Sequence, residues 1–321
     1  VWSSYLGGSS DEYGRSIAVD SIDNVLVTGD TRSSGWISGG WNTMYGGNGD
    51  GFVFKVSASC IHVWSSYLGG SQYDYCRGIA VDSIDNVLVT GYSDSSGWVG
   101  GGWDSTQNGA DDAFVAKLSR LGGHVWSSFV GGSLNDQGYG VAVDTTDNVL
   151  VTGHTYSSGW VSGGWDTTYG NNGDGFVVKV SAAGSNVWSS YFGGSSDDQG
   201  YGIAVDSMDN VLVTGSTRSS GWVSGGWDIS HGGTSYYDAV AVKLNPSGGH
   251  VWSSYVGGSS DDQGYGVAVD SVDRVLVAGL TSSSGWVSGG WDTTHGGNED
   301  GFVLGVSEDD DNDGLWNEED N

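Results

Sequence analysis

The sequence predicts an all-β fold: a five-bladed β-propeller of four-stranded antiparallel blades. Three observations carry this. The phrase Val-Trp-Ser-Ser-(Tyr/Phe) occurs five times, beginning at Val1, Val63, Val125, Val187 and Val251, in three steps of 62 residues and one of 64. A period this regular marks an array of one supersecondary unit. Each copy holds four short β-rich runs and no segment of helical period. The ends are complementary: the chain opens on a fourth-strand run, Val1–Leu6, and its last repeat stops at a third-strand run, Phe302–Val306. Pairing the two closes the ring and removes the open sheet edges.

The elements follow in order within one copy. Val1-Trp2-Ser3-Ser4-Tyr5-Leu6 is a strand ended by Gly7-Gly8, and an acidic loop with Asp11-Glu12 comes next. Ile17–Asp20 is the first, innermost strand of a blade. Ser21-Ile22-Asp23-Asn24 is a turn, since Asx side chains bond their own backbone. Val25–Gly29 is a continuous apolar run, too short for a helix, and reads as a strand covered on both faces. A long loop carries Ser34-Gly35-Trp36 and Gly39-Gly40-Trp41, and Phe52–Val56 is the third strand. The next Val-Trp-Ser-Ser run is the fourth. Four-stranded sheets repeated radially make a propeller, whereas a β-helix rung needs far fewer than 62 residues. The repeats fall at 1–62, 63–124, 125–186, 187–250 and 251–306, with an acidic tail at 307–321. The two extra residues of the fourth repeat lie between Trp227 and Asp238. They belong in a loop near Ser235-Tyr236-Tyr237, because loops absorb insertions cheaply and a strand slip turns buried faces outward.

Composition narrows the class of function. Of 321 residues, 59 are Gly and one is Pro; the Gly recur at fixed offsets, unlike a disordered linker. The 39 acids against 10 bases give a net charge of -29. Such a surface repels phosphate backbones and anionic lipid, which disfavours nucleic-acid and membrane-surface partners. No apolar run approaches the roughly 20 residues of a membrane-spanning helix. Val1 already lies inside the repeat phrase, so a mature or trimmed form is the expectation.

Gly202–Asp206, Asp209–Gly215 and Asp174–Val180 give Gly-Ile-Ala-Val-Asp, Asp-Asn-Val-Leu-Val-Thr-Gly and Asp-Gly-Phe-Val-x-Lys-Val. With the preceding Gly-Gly-Ser-x-x-Asp, this pattern resembles the bacterial SBBP-type β-propeller repeat, in five copies from residue 1 to about 306. The resemblance implies secreted or cell-surface proteins, often large and multidomain, with no catalytic residues to carry over. The Trp-rich loop departs from that repeat and is the segment particular to this chain.

Three groups of residues are candidate sites. The tail Asp309-Asp310-Asp311-Asn312-Asp313-Gly314-Leu315-Trp316-Asn317-Glu318-Glu319-Asp320 places carboxylates at positions 1, 3, 5 and 12 of a loop with Gly at 6. That is the spacing of a calcium loop. Asp309, Asp311, Asp313 and Asp320 would supply carboxylates, Leu315 its carbonyl, and Asn317 position 9. The loop resembles dockerin and thrombospondin type 3 loops; the alternative is a disordered acidic tail. The second group is the loop Trp pairs: Trp36/Trp41, Trp98/Trp103, Trp160/Trp165, Trp222/Trp227 and Trp286/Trp291. Exposed, they would stack on sugars with multivalent gain; folded down, they would plug the gaps between blades. The third group is acidic. Glu12, Asp74, Asp136, Asp198 and Asp262 recur before the first strand, and Asp50, Asp112, Asp174, Asp238 and Asp300 before the third. These either hold a cation or cap backbone amides. Asp23, Asp85, Asp147, Asp209 and Asp273 read as turn formers.

The six His show no partner spacing, and no nucleophile elbow, HExxH or phosphate loop is present. Cys60 and Cys76 each replace a Gly of the other copies and sit at opposite ends of a strand spanning roughly 20 Å, too far apart for a disulfide. The expectation is a non-enzymatic extracellular or cell-surface module for structure or adhesion, partnered by surface or matrix proteins or glycans, in a larger chain or assembly. A calcium-dependent multivalent carbohydrate binder is the alternative, and a glycan hydrolase comes third.

Overall fold

The computed structural model describes residues 1–233 and 235–307. Among them are nineteen strands in five antiparallel sheets, and no helix. The first sheet is β1 (Glu12–Val19), β2 (Val25–Thr31), β3 (Asp50–Val56) and β4 (His62–Leu68). The second is β5 (Asp74–Val81), β6 (Val87–Ser93), β7 (Asp112–Leu118) and β8 (His124–Val130). The third is β9 (Asp136–Val143), β10 (Val149–Thr155), β11 (Asp174–Val180) and β12 (Asn186–Phe192). The fourth is β13 (Asp198–Val205), β14 (Val211–Thr217), β15 (Asp238–Leu244) and β16 (His250–Val256). The fifth is β17 (Asp262–Val269), β18 (Val275–Thr281) and β19 (Asp300–Val306). Strands lie side by side in chain order in every sheet, as a meander requires.

The chain forms two compact units: Val1–Val161 with Val177–Ser189, and Ser162–Phe176 with the chain from Ser190 onward. In the first, β1 packs on β5 and β5 on β9. Leu26, Val53, Trp64, Leu68, Ile79, Val89 and Phe114 are buried there in one apolar cluster. In the second, β13, β14 and β15 pack on β17, and Leu212, Ala241 and Trp252 meet Val275, Val277 and Phe302. The central strands are apolar on both sides because both of their faces are covered by neighbours.

Each first strand is longer than the sequence led us to expect. It begins at Glu12 or its Asp equivalent and reaches back through the acidic segment. A bulge makes this possible. Gly14 pairs with Gly29 and Ser16 with Thr28, so Arg15 is left over, and the same shift recurs in β5, β9, β13 and β17. The facing residue must be Gly: a Cβ at Gly29 would lie 1.8 Å from the Tyr13 carbonyl oxygen. Bulges of this kind strengthen local twist and re-aim side chains; here the bulge separates an inner apolar half-strand from an outer polar one.

Sheet by sheet, the turns between first and second strands form as expected. Asp20 accepts from the amides of Ile22 and Asn24, and Asp23 takes the left-handed conformation at φ 64°. Lys55 on β3 reaches back to Asp20 at 2.7 Å, a buried ion pair repeated as Lys117–Asp82, Lys179–Asp144 and Lys243–Asp206. The extra residues of the fourth repeat lie between β14 and β15, and both strands keep seven residues.

The fifth sheet has three strands among the described residues, and residues 1–8 belong to no strand, so ring closure through Val1–Leu6 stays an expectation of the sequence. Without a ladder the segment carries no strand, and Val1 and Tyr5 are fully exposed. Side-chain contacts hold the segment instead. The Trp2 indole donates to the Ala58 carbonyl at 2.9 Å.

Both cysteines are free. Cys76 is wholly buried beside Gly51, where burial pushes its thiol pKa up. Cys60 holds φ 64° at a turn position where Gly122, Gly184 and Gly248 hold 82–87°. A residue with a Cβ is strained by about 1–2 kcal/mol there. We expect Cys60→Gly to stabilise the protein by about 1 kcal/mol, measured by denaturant melting. An unchanged or lowered midpoint would show that the thiol makes a compensating contact.

Candidate functional site

The acidic residues that open the first strands each gather four elements. Asp74 accepts from the Gly70 amide and the Ser95 hydroxyl, both at 2.9 Å, and from the Ser93 hydroxyl at the end of β6. Its own amide donates to Gly49 O of the loop before β3. Asp136, Asp198 and Asp262 repeat the set with Gly132, Ser157 and Thr155; Gly194, Ser219 and Thr217; and Gly258, Ser283 and Thr281. In the first sheet Glu12 takes the place of Asp and accepts from Thr31 at 3.0 Å. The carboxylates before the third strands cap their loops: Asp50, Asp174, Asp238 and Asp300 accept from Gly46, Gly170, Gly232 and Gly296. Asp112 accepts from both Asn108 and Gly109. Both sets therefore do the work of amide caps. Among the described residues, no three His, Cys, Asp or Glu side chains converge to hold a metal ion.

The same Ser and Thr hydroxyls tie down the first Trp of each loop pair. The indole N–H of Trp36 donates to Thr31, Trp98 to Ser93, Trp160 to Thr155, Trp222 to Thr217 and Trp286 to Thr281, at 2.9–3.2 Å. Trp36, Trp98 and Trp286 lie edge-on to Phe52, Phe114 and Phe302, with centroids 4.9–5.2 Å apart. Such pairs add about 0.5–1.5 kcal/mol beyond area burial. The second Trp faces the neighbouring repeat. Trp41 stacks on His124 at 4.3 Å and Trp165 lies over His250 at 4.2 Å, while Trp227 meets Trp252. Trp103 is half-buried, and Trp291 is fully exposed. Three of the six His open fourth strands: the rings of His62, His124 and His250 bond Ser65, Ser127 and Ser253.

Sequence reasoning missed a second role for the turn acids. Asp85 accepts from both the amide and hydroxyl of Ser21 in the preceding repeat, at 2.9 and 2.8 Å. Asp147 does the same for Ser83 and Asp273 for Ser207. The available signal was a Ser following the last residue of the first strand, one repeat before each turn Asp. The fourth-strand Trp residues add a further link: Trp64 donates to Arg120 O and Trp126 to Ala182 O, both at 3.0 Å. The calcium-loop residues Asp309, Asp311, Asp313, Leu315, Asn317 and Asp320 lie outside the described residues.

These carboxyls are charged at some cost. Burial lifts Asp74, Asp136 and Asp198 to about 6 against the pull of their hydroxyl and amide donors. Burial and the nearby Asp74 and Asp198 lift Asp50 and Asp174 to about 7, and one oxygen of each finds no donor. In the unfolded chain such groups titrate near 3.9. The folded state thus holds more protons between about pH 4 and pH 7, so their contribution to stability is full below about pH 4 and lost as pH rises through 6 to 7. Asp20 and Asp144 behave oppositely. Burial raises them, but Lys and Asn partners outweigh it and hold both at about 2. Their contribution is present above about pH 4 and is lost as pH falls toward 2. We expect the melting temperature to peak near pH 4–5 and to fall toward pH 8. Calorimetric scans showing a flat or rising midpoint across that range would mean the buried carboxylates hold charge without penalty.

The β-propeller repeat (SBBP) model matches residues 1–35, 63–97, 125–159, 187–221 and 251–285, together more than half of the chain. An uncharacterized WD repeat-containing protein, L264, of Acanthamoeba polyphaga mimivirus is 27% identical over 88% of this chain. The chain spans a quarter of that relative's length. Among solved structures, a protein of unknown function from Bacteroides caccae aligns with TM-score 0.40 at 12% identity, over 78% of this chain and 64% of the other. A GH43 β-xylosidase/α-arabinofuranosidase from a compost metagenome aligns with TM-score 0.39 at 9% identity, over 94% and 92%. From its five matched repeats, the chain belongs to the SBBP β-propeller repeat family.

Proposed function

We propose that the chain is a non-enzymatic, extracellular or cell-surface β-propeller module that serves structure and adhesion, with surface or matrix proteins or glycans as its partners. One observation carries this reading. In every repeat, the groups best suited to chemistry or to stacking on a ligand are engaged in holding the sheets: the buried acids cap loop amides, the first Trp of each pair bonds a Ser or Thr that bonds the acid, and the ring of that Trp is packed down. A catalytic pair of carboxyls needs one acid and one base set apart by environment. Here the acids repeat with the same partners from sheet to sheet, which gives no such distinction. The acidic surface fits a soluble module that meets cationic or neutral partners rather than polyanions.

The test is a glycan array combined with a panel of chromogenic glycosides, each with and without calcium. We expect no turnover, and any glycan retention to be independent of calcium and unchanged in Trp291→Ala and Trp41→Ala. Retention of one glycan class that is lost in Trp291→Ala or Trp41→Ala would replace the scaffold reading with the lectin one, and turnover would replace it with a hydrolase.

We also propose that the acidic tail takes Ca²⁺ through Asp309, Asp311, Asp313, Leu315, Asn317 and Asp320, on the ligand spacing alone. Titration calorimetry of the full chain should give calcium heats that Asp311→Ala loses, with the melting temperature of the repeats little changed on chelation. Identical isotherms for the two proteins remove the assignment.

A further inference from the structure

Repeats one and two differ from the other three in a linked pair of residues on the first strand. In repeats three to five the outer half of that strand carries a Gln and a Tyr two positions apart, and the pair satisfies itself: Tyr139 donates to Gln137, Tyr201 to Gln199 and Tyr265 to Gln263. Repeats one and two carry Tyr and Arg there instead, Tyr13 with Arg15 and Tyr75 with Arg77. Each guanidinium lies over the ring of its Tyr, 5.0 and 5.6 Å from the centroid. In both strands the Arg is the extra residue of the bulge, which aims it out of the ladder. β1 and β5 pack together, so the two exceptional pairs stand on neighbouring strands.

Around β5 the departures from the repeat multiply. Tyr92, opposite Tyr75 on β6, stands where the other sheets have Asp30, His154, Ser216 and Leu280. Tyr73 stands where they have Asp11, Asn135, Asp197 and Asp261. The rings of Tyr73, Tyr75 and Tyr92 follow one another at 6.2 and 4.8 Å, the first two nearly parallel at 10°. Tyr73 is 40% exposed. Arg77 donates to the Tyr92 hydroxyl at 2.7 Å, while its Nε is buried without an acceptor. Among the described residues it has no carboxylate partner, whereas every Lys of the chain is locked to an Asp. Burial pushes the Tyr75 hydroxyl pKa up, Tyr92 and Asp30 push the same way, and Arg32 opposes them, so all act on one ring. Arg15 holds Asp30 at 3.0 Å, and Arg32 is half exposed, 3.9 Å from Asp11. Three of the six Arg thus gather around one row of Tyr, in a chain of net charge -29.

We propose that this shelf binds the carboxylated end of an acidic saccharide, with the sugar ring on Tyr73 and Tyr75 and the carboxylate on Arg77 and Arg32. The proposal rests on the adhesion reading above and deepens it by naming the class of glycan. Tyr supplies flat, amphipathic area at low entropy cost, and the apolar face of a pyranose ring matches it. A guanidinium holds a carboxylate in a planar, two-bonded fork, and that is the partner Arg77 lacks. The charge of the whole chain bounds the ligand, since it repels polyanions. A single carboxylate is admitted where a nucleic acid or a heavily sulfated polymer is kept out. The row of three Tyr occurs in one repeat, so recognition here needs neither the fivefold array nor the Trp loops.

The test is titration calorimetry of the full chain with glucuronate-, galacturonate- and sialate-terminated oligosaccharides, each beside a neutral counterpart. At least one acidic sugar should bind about tenfold or more tightly than its counterpart, without calcium, and more weakly as salt rises. The decisive variant is Tyr75→Gln with Arg77→Tyr. It installs the pair that β9, β13 and β17 carry at the same positions, so the fold accommodates it and the melting temperature should be little changed. Its affinity for the acidic sugar should fall at least about tenfold. Arg77→Lys keeps the charge, loses the fork, and should lose most of the preference for acidic over neutral sugar. Arg120→Met, at an exposed Arg outside the shelf, should bind as the wild type does. Absence of binding, equal affinity for acidic and neutral sugars, or wild-type affinity in the double variant overturns the inference and leaves the scaffold reading standing. A nucleoside monophosphate bound more tightly than every acidic sugar also overturns it, by showing that the rings stack a base. Cleavage of an oligosaccharide that depends on Arg77 supports the site and removes the non-enzymatic reading instead.

Discussion

The repeat depends on one desolvated carboxylate at the start of each first strand. Asp74, Asp136, Asp198 and Asp262 are almost wholly buried, and each fixes a glycine turn, the last residue of the second strand and the Ser two positions beyond it. A buried charge left unbonded would cost several kcal/mol, so the donors around it are constrained together. The Thr or Ser at the strand end both donates to the carboxylate and accepts from the Trp indole, which fixes the Trp loop. That loop in turn receives the outer amides of the fourth strand. A chain of hydrogen bonds thus runs from the first strand of a sheet to the fourth strand of the same sheet. Because each bond polarises the next, a change at the carboxylate propagates to the loop.

A second buried charge works at the opposite end of each sheet, and its exception shows the rule. Asp20, Asp82, Asp144 and Asp206 each pair with a Lys on the third strand and with an Asn in the turn. In the fifth repeat the Lys position is Gly305 and the Asn position is Arg274, whose guanidinium Nε sits 2.8 Å from Asp270. The cation has moved from the strand to the turn, but the carboxylate keeps one. Removing one partner of a buried pair leaves an uncompensated charge, which is far costlier than exchanging the pair. The two substitutions therefore make physical sense only together. Asp270 is also more exposed than its counterparts, so a looser, surface pair suffices there.

Most of the fold was legible in the sequence because the period is exposed in full: five copies of one phrase, four β-rich runs in each, and turns marked by Asx residues. The extra residues of the fourth repeat were also legible, since Val211–Thr217 and Asp238–Leu244 keep strand patterns on either side. The bulge was not. Gly14, Gly138, Gly200 and Gly264 read as loop glycines, and only the pairing of Gly14 with Gly29 shows that the strand continues through them. The position of the acids was half legible: spacing placed Asp50 and Asp74 at one end of the blade, but hydrogen bonds, not charge, decide what they do there. The tryptophans were legible as a repeated element and ambiguous in role, because Trp36 and Trp41 both follow a Gly and their partners lie far away in the chain. The turn acids were read too simply, since Asp85 is bonded to Ser21, a residue 64 positions away that no local pattern links to it.

The direction of these links has a structural consequence. Several side-chain links run from one repeat to the next: Ser21 to Asp85, Ser83 to Asp147, Ser207 to Asp273, Trp64 to Arg120 O and Trp126 to Ala182 O. In these links the acceptor lies on the later repeat, while the backbone bonds of Asp74 and Asp136 to Gly49 O and Asp111 O run the other way. Such an interface is heterologous, since the two faces of a repeat carry different groups. The same Ser and Trp side chains that the repeat needs for its own turns and strands thus also join it to its neighbour, so one phrase of sequence specifies both the sheet and its packing.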